Sequence, residues 1–144
     1  MLANIFVIDN HPLMCEAIGV LIRRLSPSTP VIELGRIAVV LQAVQQHGEP
    51  TLICLDLILP DTQGISGIQE LKKLCPKVPM VVLTASSASD YEDLSLEAGA
   101  DDFIEKSAGA TEIGNVLRLF LSADLTTGVP VTARSTLGIA DQNP

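Results

Sequence analysis

Residues 51–64 read TLICLDLILPDTQG, an apolar run with a single acid, Asp56, set inside it. Leu52, Ile53, Cys54, Leu55 and Leu57 flank that acid, and Pro60 and Gly64 close the stretch. A short apolar run bounded by turn residues reads as a strand buried on both faces. An unpaired carboxylate inside such a strand is costly, so its neighbours must supply a cation or hydrogen bonds. The alternative places Asp56 at the carboxyl end of the strand, where a parallel sheet opens a ligand crevice. A carboxylate at a strand tip, followed by a Pro/Gly loop, suits an exposed, metal-assisted nucleophile. The same residue type also caps helices and makes turns, and this stretch alone leaves the readings open.

The rest of the chain repeats one unit. Residues 4–8 (NIFVI) are an apolar run ending at Asp9, and Pro12 suits a first helical position. Leu13, Ala17, Ile18, Leu21, Ile22 and Leu25 recur at helix spacing until Ser26-Pro27-Ser28. A strand follows at 31–34, a helix at 38–46, the strand ending at Asp56, and a helix at 65–75. A strand over 78–83 ends at Thr84, with Pro79 tolerated near its start. Ser89 and Glu92 form a capping box that opens a fourth helix, which Gly99 stops. Phe103 and Ile104 make a short strand ending at Lys106, and a last helix covers 111–122. Five strand–helix units in succession call for a parallel sheet covered by helices on both faces. Residues 124–144 lose periodicity and are dominated by Thr, Gly, Pro and Ser, which reads as a linker or disordered tail after a domain over 1–123.

Composition excludes several function classes. The 144 residues carry a net charge of −8, and the nine Lys and Arg are scattered, so direct nucleic-acid binding by this chain is not expected. No apolar run has the length of a membrane span, and the N-terminus shows no secretory signal, so the expected location is the cytoplasm. Cys15, Cys54 and Cys75 form no CxxC or Cys/His cluster and read as small core residues. From Asp90 to Glu105 the charged residues are all acids, namely Asp90, Glu92, Asp93, Glu97, Asp101, Asp102 and Glu105. That run is either a solvated face or a docking surface for a basic partner.

In a parallel sheet all carboxyl ends share one edge. Asp9, Asn10, Asp56, Thr84 and Lys106 meet there. Two carboxylates repel unless a cation lies between them, and Mg²⁺ takes one or two carboxylates while keeping room for waters and a phosphate. A lysine and a hydroxyl can then hold phosphoryl oxygens, and positioning with electrostatics carries most of phosphoryl transfer. Each residue also has a local explanation: Asp9 as a helix cap, Thr84 as a strand end, Lys106 as a partner of Glu105 or Asp102. All of them at correctly ordered strand ends is a far rarer coincidence.

The pieces VIDNHP, LDLILPDTQG, VVLTAS and GADDFIEKSA, spread over about residues 2–123, resemble a response-regulator receiver domain. The resemblance implies a CheY-like, flavodoxin-like (βα)5 doubly wound sandwich. It implies Asp56 as phosphoacceptor from a sensor histidine kinase, and Mg²⁺ held by Asp9, Asp56 and the Ile58 backbone carbonyl. Thr84 and Lys106 would bind the phosphoryl group, and Ala85 would be kept small for its access. Phe103 would be the aromatic switch, turning inward as Thr84 moves. Such a protein is a switch, not an enzyme beyond its own phosphotransfer and dephosphorylation. Finer features (DNHP, EKSA and VLRLFLSADLTTGVPVTARST) resemble the NarL/LuxR-type subfamily, in which a linker leads to a DNA-binding helix-turn-helix domain and a homodimer forms. No such second domain lies in this chain.

Three departures matter. Asn10 stands where the family usually has a second acid, leaving it a weak, uncharged metal donor. Ser107 follows Lys106 where many receivers have Pro, so the isomer of that peptide is open. Ile58 is apolar and would screen the acyl phosphate from water. Asn10 keeps a second reading alive, a phosphorylation-independent pseudo-receiver acting as an interaction module. An aspartyl-nucleophile phosphatase would commonly need a second acid, and Leu57 and Ile58 supply none; a dinucleotide-binding domain would need G-x-G-x-x-G where this chain has Asp9-Asn10-His11-Pro12.

Overall fold

A computed structural model of the chain describes residues 4–126. The order is β1 (Ile5–Ile8), α1 (Pro12–Leu25), β2 (Val31–Leu34), α2 (Val40–His47), β3 (Leu52–Leu55), α3 (Ser66–Leu74), β4 (Met80–Thr84), α4 (Ala88–Ala98), β5 (Asp102–Glu105) and α5 (Ala110–Thr126). Short 3-10 turns, Ile37–Val39 and Lys106–Ala108, precede α2 and α5. All strand pairs are parallel, in the order β2-β1-β3-β4-β5. This is the doubly wound (βα)5 sandwich expected from the alternation.

Strand alternation builds two cores. Phe6, Ile8, Ile53, Leu55, Val82 and Phe103 face one side, against Val40 and Ala43 of α2 and Ile68 and Leu71 of α3, with Ala88 and Tyr91 of α4 beside them. Ile5, Val7, Leu52, Cys54, Val81 and Leu83 face the other, against Ile18 and Ile22 of α1 and Ile113, Leu117 and Phe120 of α5. β1 and β3 are buried along their whole length, which explains why they read as unbroken apolar runs. β2 lies at the sheet edge and exposes Glu33.

Two element ends differ from the sequence reading, each for a physical reason, and one open peptide isomer is decided. The N-cap of α4 is Ser87, not Ser89: its extended backbone precedes Ala88 and its hydroxyl accepts from the Asp90 N–H at 3.3 Å. The reason is tertiary, because Glu105 of β5 accepts from the Ala88 N–H at 2.6 Å and fixes the first turn two residues earlier. The local signal existed too, since Ser87 and Asp90 have capping-box spacing. α5 runs to Thr126, past the expected end at 122, because helix propagation through Ala123 and Leu125 is easy once the helix is nucleated. The remainder of the expected tail, 127–144, lies outside the described residues. Finally, no peptide bond among the described residues is cis, so Lys106–Ser107 is trans.

Gly99 ends α4 as expected, at φ 121°, and a Cβ there would come within 2.8 Å of the Lys72 side chain. Several acids of the 90–105 run are committed to backbone N–H groups. Asp101 accepts from Met80, Asp102 from Phe103, and Glu105 from Ala88.

Ser87→Ala should lower the unfolding free energy by about 1 kcal/mol, the usual worth of an N-cap. Ser89→Ala should leave it within about 0.5 kcal/mol, as at an ordinary surface site. Urea unfolding of both variants checks this, and equal effects would reassign the cap.

Candidate functional site

The strand order reverses between β1 and β3: from β1 the chain goes outward to β2, then crosses back to β3 on the other side. A doubly wound sheet opens a crevice at that point, outside the carboxyl ends of the strands. Asp9 follows β1 and Asp56 follows β3. Each backbone is still held in the ladder, since the Asp9 N–H donates to the Leu34 carbonyl and the Asp56 N–H to the Ile8 carbonyl, both at 2.9 Å. The sheet therefore sets both aspartates rigidly while their side chains enter the crevice. They are 4% and 3% exposed, respectively.

Thr84 ends β4, and Lys106 follows β5 directly. The Lys106 ammonium lies 2.8 Å from Asp9 Oδ2 and 3.0 Å from Asp56 Oδ2. The Thr84 hydroxyl donates to Asp56 Oδ1 at 2.9 Å, and the Ile58 N–H donates to the same oxygen at 3.1 Å. Lys106 thus reaches Asp9 and Asp56 across the sheet edge, where the local alternative had Glu105 or Asp102. Burial would depress the Lys106 ammonium, but its hydrogen bonds and charge contacts with Asp9 and Asp56 outweigh this. Its pKa lies above the ordinary value of 10.5.

One ammonium faces two buried carboxylates, leaving negative charge in excess. Asp9 Oδ2 shares the single Lys106 ammonium with Asp56 Oδ2. Two buried carboxylates that share one ammonium fit a small divalent cation with oxygen ligands. The residues present therefore fit Mg²⁺.

The other expected residues sit around this cluster. Ala85 is exposed beside Thr84, and Asn10 is exposed at the bend after Asp9. Leu57 and Leu59 turn into the core, while Ile58 between them turns out, with 48% of its surface exposed. Phe103 is inside at 7% exposure, packed in the core under α4. A phenyl ring has no polar atom to keep wet, so burial favours it by about 2 kcal/mol. The Thr84 hydroxyl lies on Asp56.

The sequence reading gave His11, the residue before Pro12, no place in the site. It is the N-cap of α1. Yet its N–H donates to Asp9 Oδ1 at 2.9 Å, and its ring Nδ1 lies 2.9 Å from that oxygen and 3.7 Å from Asp56 Oδ2. The available signal was its spacing, two residues past Asp9, where a side chain at the mouth of α1 points back over the strand end. Asp61, the second acid of LDLILPDTQG, goes elsewhere and accepts from the N–H groups of Ile37 and Ala38 ahead of α2.

The sequence profile of the response regulator receiver domain matches residues 5–118. The glycerol metabolism activator of Pseudomonas putida is 29% identical, covering 85% of this chain and 55% of its own length. The DNA-binding response regulator MtrA of Mycolicibacterium smegmatis is 37% identical over 74% of this chain and 45% of its own. The chain thus spans about half the length of the curated relatives it matches. A crystal structure of a LuxR-family two-component response regulator from Aurantimonas sp. SI85-9A1 superposes with TM-score 0.72, covering 85% of this chain and 87% of that one. At 23% identity it shows the shared fold. With its profile spanning β1 to α5 and its acidic crevice at the switch point of the sheet, the chain belongs to the response regulator receiver domain family.

Proposed function

We propose that Asp56 accepts a phosphoryl group from a phosphohistidine of a sensor histidine kinase. The observation that carries this reading is the convergence of three donors, from Thr84, Ile58 and Lys106, on one buried carboxylate beside Asp9. A carboxylate oxygen of Asp56 attacks phosphorus; the O–P bond forms, the P–N bond breaks, and the leaving imidazole takes up a proton. Thr84 and Lys106 are within a bond's reach of where the phosphoryl oxygens arrive and need only transfer their hydrogen bonds to them. Bound Mg²⁺, held by Asp9, Asp56 and the Ile58 carbonyl with Asn10 as a weak extra donor, would neutralise charge on the transferring group.

The modification then biases a two-state element. Phe103 is inside, and the Thr84 hydroxyl donates to Asp56. Phosphorylation on this reading holds that arrangement in place, and the α4–β5 surface responds. The relatives' names support a transcriptional output, and their greater length supports a further domain outside this chain. The NarL/LuxR-like motifs favour a helix-turn-helix domain that binds DNA as a homodimer, with this chain itself contacting no DNA. The site of action on this reading is the cytoplasm; no helix among the described residues is long and apolar enough to cross a membrane.

Intact mass after incubation with acetyl phosphate should rise by one phosphoryl group, only with Mg²⁺ and not in Asp56→Ala. No gain at any Mg²⁺ concentration, with gain in Asn10→Asp, would instead make this a pseudo-receiver that binds partners without phosphorylation. Ile58→Asn should shorten the phosphoryl lifetime severalfold, measured by the mass decay after donor removal; an unchanged decay removes the screening role.

Lys106 also stabilises the fold. Its raised folded-state pKa means the native state holds that proton more tightly than the unfolded chain. The stabilisation is therefore full below the ordinary lysine value of 10.5 and lost as pH rises above it. Lys106→Met should cost about 3 kcal/mol near neutrality, by leaving two buried carboxylates without their cation. Denaturation across the alkaline range should show a fall in the wild type that the variant lacks.

A further inference from the structure

We propose that His11 joins Asp9 and Asp56 to bind an imidazole-preferring divalent cation of the Zn²⁺ class, in competition with Mg²⁺. The inference rests on the reading of Asp9 and Asp56 as metal ligands and adds a third ligand and a second metal class. The ligand atoms of Asp9, His11 and Asp56 all lie within 4.8 Å of one another. Nδ1 of His11 is 2.9 Å from Asp9 Oδ1 and 3.7 Å from Asp56 Oδ2. Ligands on a metal with bonds of about 2.1 Å lie roughly 3–3.5 Å apart, so these atoms span one coordination sphere with little movement.

A second observation points the same way. Asp9 and Asp56 are 4% and 3% exposed, and their Oδ2 atoms share the one Lys106 ammonium, at 2.8 and 3.0 Å. The two carboxylates are thus held in the crevice with negative charge in excess of their one buried cation. His11 is also anchored. Its N–H is on Asp9, and its carbonyl accepts from the Met14 and Cys15 N–H groups at 3.0 Å as α1 begins. Little backbone freedom is left to lose on binding. Its side chain keeps 62% of its surface exposed, so a cation can reach it from solvent.

The donor chemistry decides the metal. Imidazole nitrogen suits Zn²⁺, Ni²⁺ and Co²⁺, whereas Mg²⁺ prefers carboxylate, carbonyl and water. Asn10, in place of an acid, withholds the extra negative charge that would favour the hard cation. Thiolates do not compete for the soft end of the range. Cys15, the nearest, gives its S–H to the Asp9 carbonyl and is pushed up to about 11 by burial, with Asp9 adding to it. A cation shared by His11, Asp9 and Asp56 Oδ2 takes the carboxylates that Mg²⁺ would use, so the two metals exclude each other.

Isothermal titration of the full chain with ZnCl₂ and with MgCl₂ tests this, alongside the visible spectrum of the Co²⁺-loaded protein. His11→Ala should weaken Zn²⁺ by about tenfold or more, a scale that outer-sphere changes already reach, and leave Mg²⁺ unchanged. His11→Gln should behave likewise while keeping a hydrogen-bonding side chain at the start of α1. The Co²⁺ bands should shift in both variants, Mg²⁺ should raise the apparent Zn²⁺ Kd, and His47→Ala, the other histidine, should change nothing. Unchanged Zn²⁺ affinity in His11→Ala, while Asp9→Asn weakens both metals, overturns the proposal and leaves the Mg²⁺ site standing. Asp9→Asn without effect on either metal overturns both.

Discussion

Two carboxylates share one ammonium inside this molecule, and the rest of the structure is arranged around that imbalance. Asp9 and Asp56 are almost fully buried, and Lys106 reaches both. Removing one charge from water is costly, and removing three is tolerable only when they are mutually placed. Placement comes from the sheet. Each aspartate is the first residue beyond a buried central strand, and its N–H continues the ladder to the neighbouring strand. Lys106 arrives from the end of β5, two strands from β3 and three from β1. The excess negative charge left over is what makes the crevice a place for a cation and for a group that arrives with its own.

The sheet holds this arrangement because both of its faces are packed. Alternate residues of each central strand enter different cores, one under α1 and α5, the other under α2, α3 and α4. Only small shifts are open to a strand clamped on both sides. Movement is left to the loops beyond the strand ends and to the edge strand β5. There Phe103 and Glu105 link the crevice to the first turn of α4. Chemistry at the carboxyl edge and change at the α4–β5 surface are therefore mechanically adjacent.

Much of the fold was legible because its signals are local. Apolar runs of strand length, helix-spaced apolar residues and Gly or Pro at their ends are read within a few residues. The site was legible in part for a related reason: once the strands are taken as parallel, their last residues share an edge whatever the strand order. What was not legible is long-range. Ser89 was preferred as the α4 cap because nothing local shows that Glu105 occupies the Ala88 N–H. The depth of Phe103 likewise depends on α4, which packs over it, and not on its own strand.

What the amino-acid sequence determined by itself was therefore the list of elements, their parallel arrangement and the identity of Asp9, Asp56, Thr84 and Lys106 as neighbours. Tertiary structure alone decided that β1 lies beside β3, so that the two aspartates face one crevice. It also decided that Lys106 bridges them and that His11 turns its ring to within 2.9 Å of Asp9. Periodicity records which face of an element is buried, and that is a short-range property. Which side chains then meet across the edge depends on strand order and helix orientation, which are set by long-range packing of the two cores.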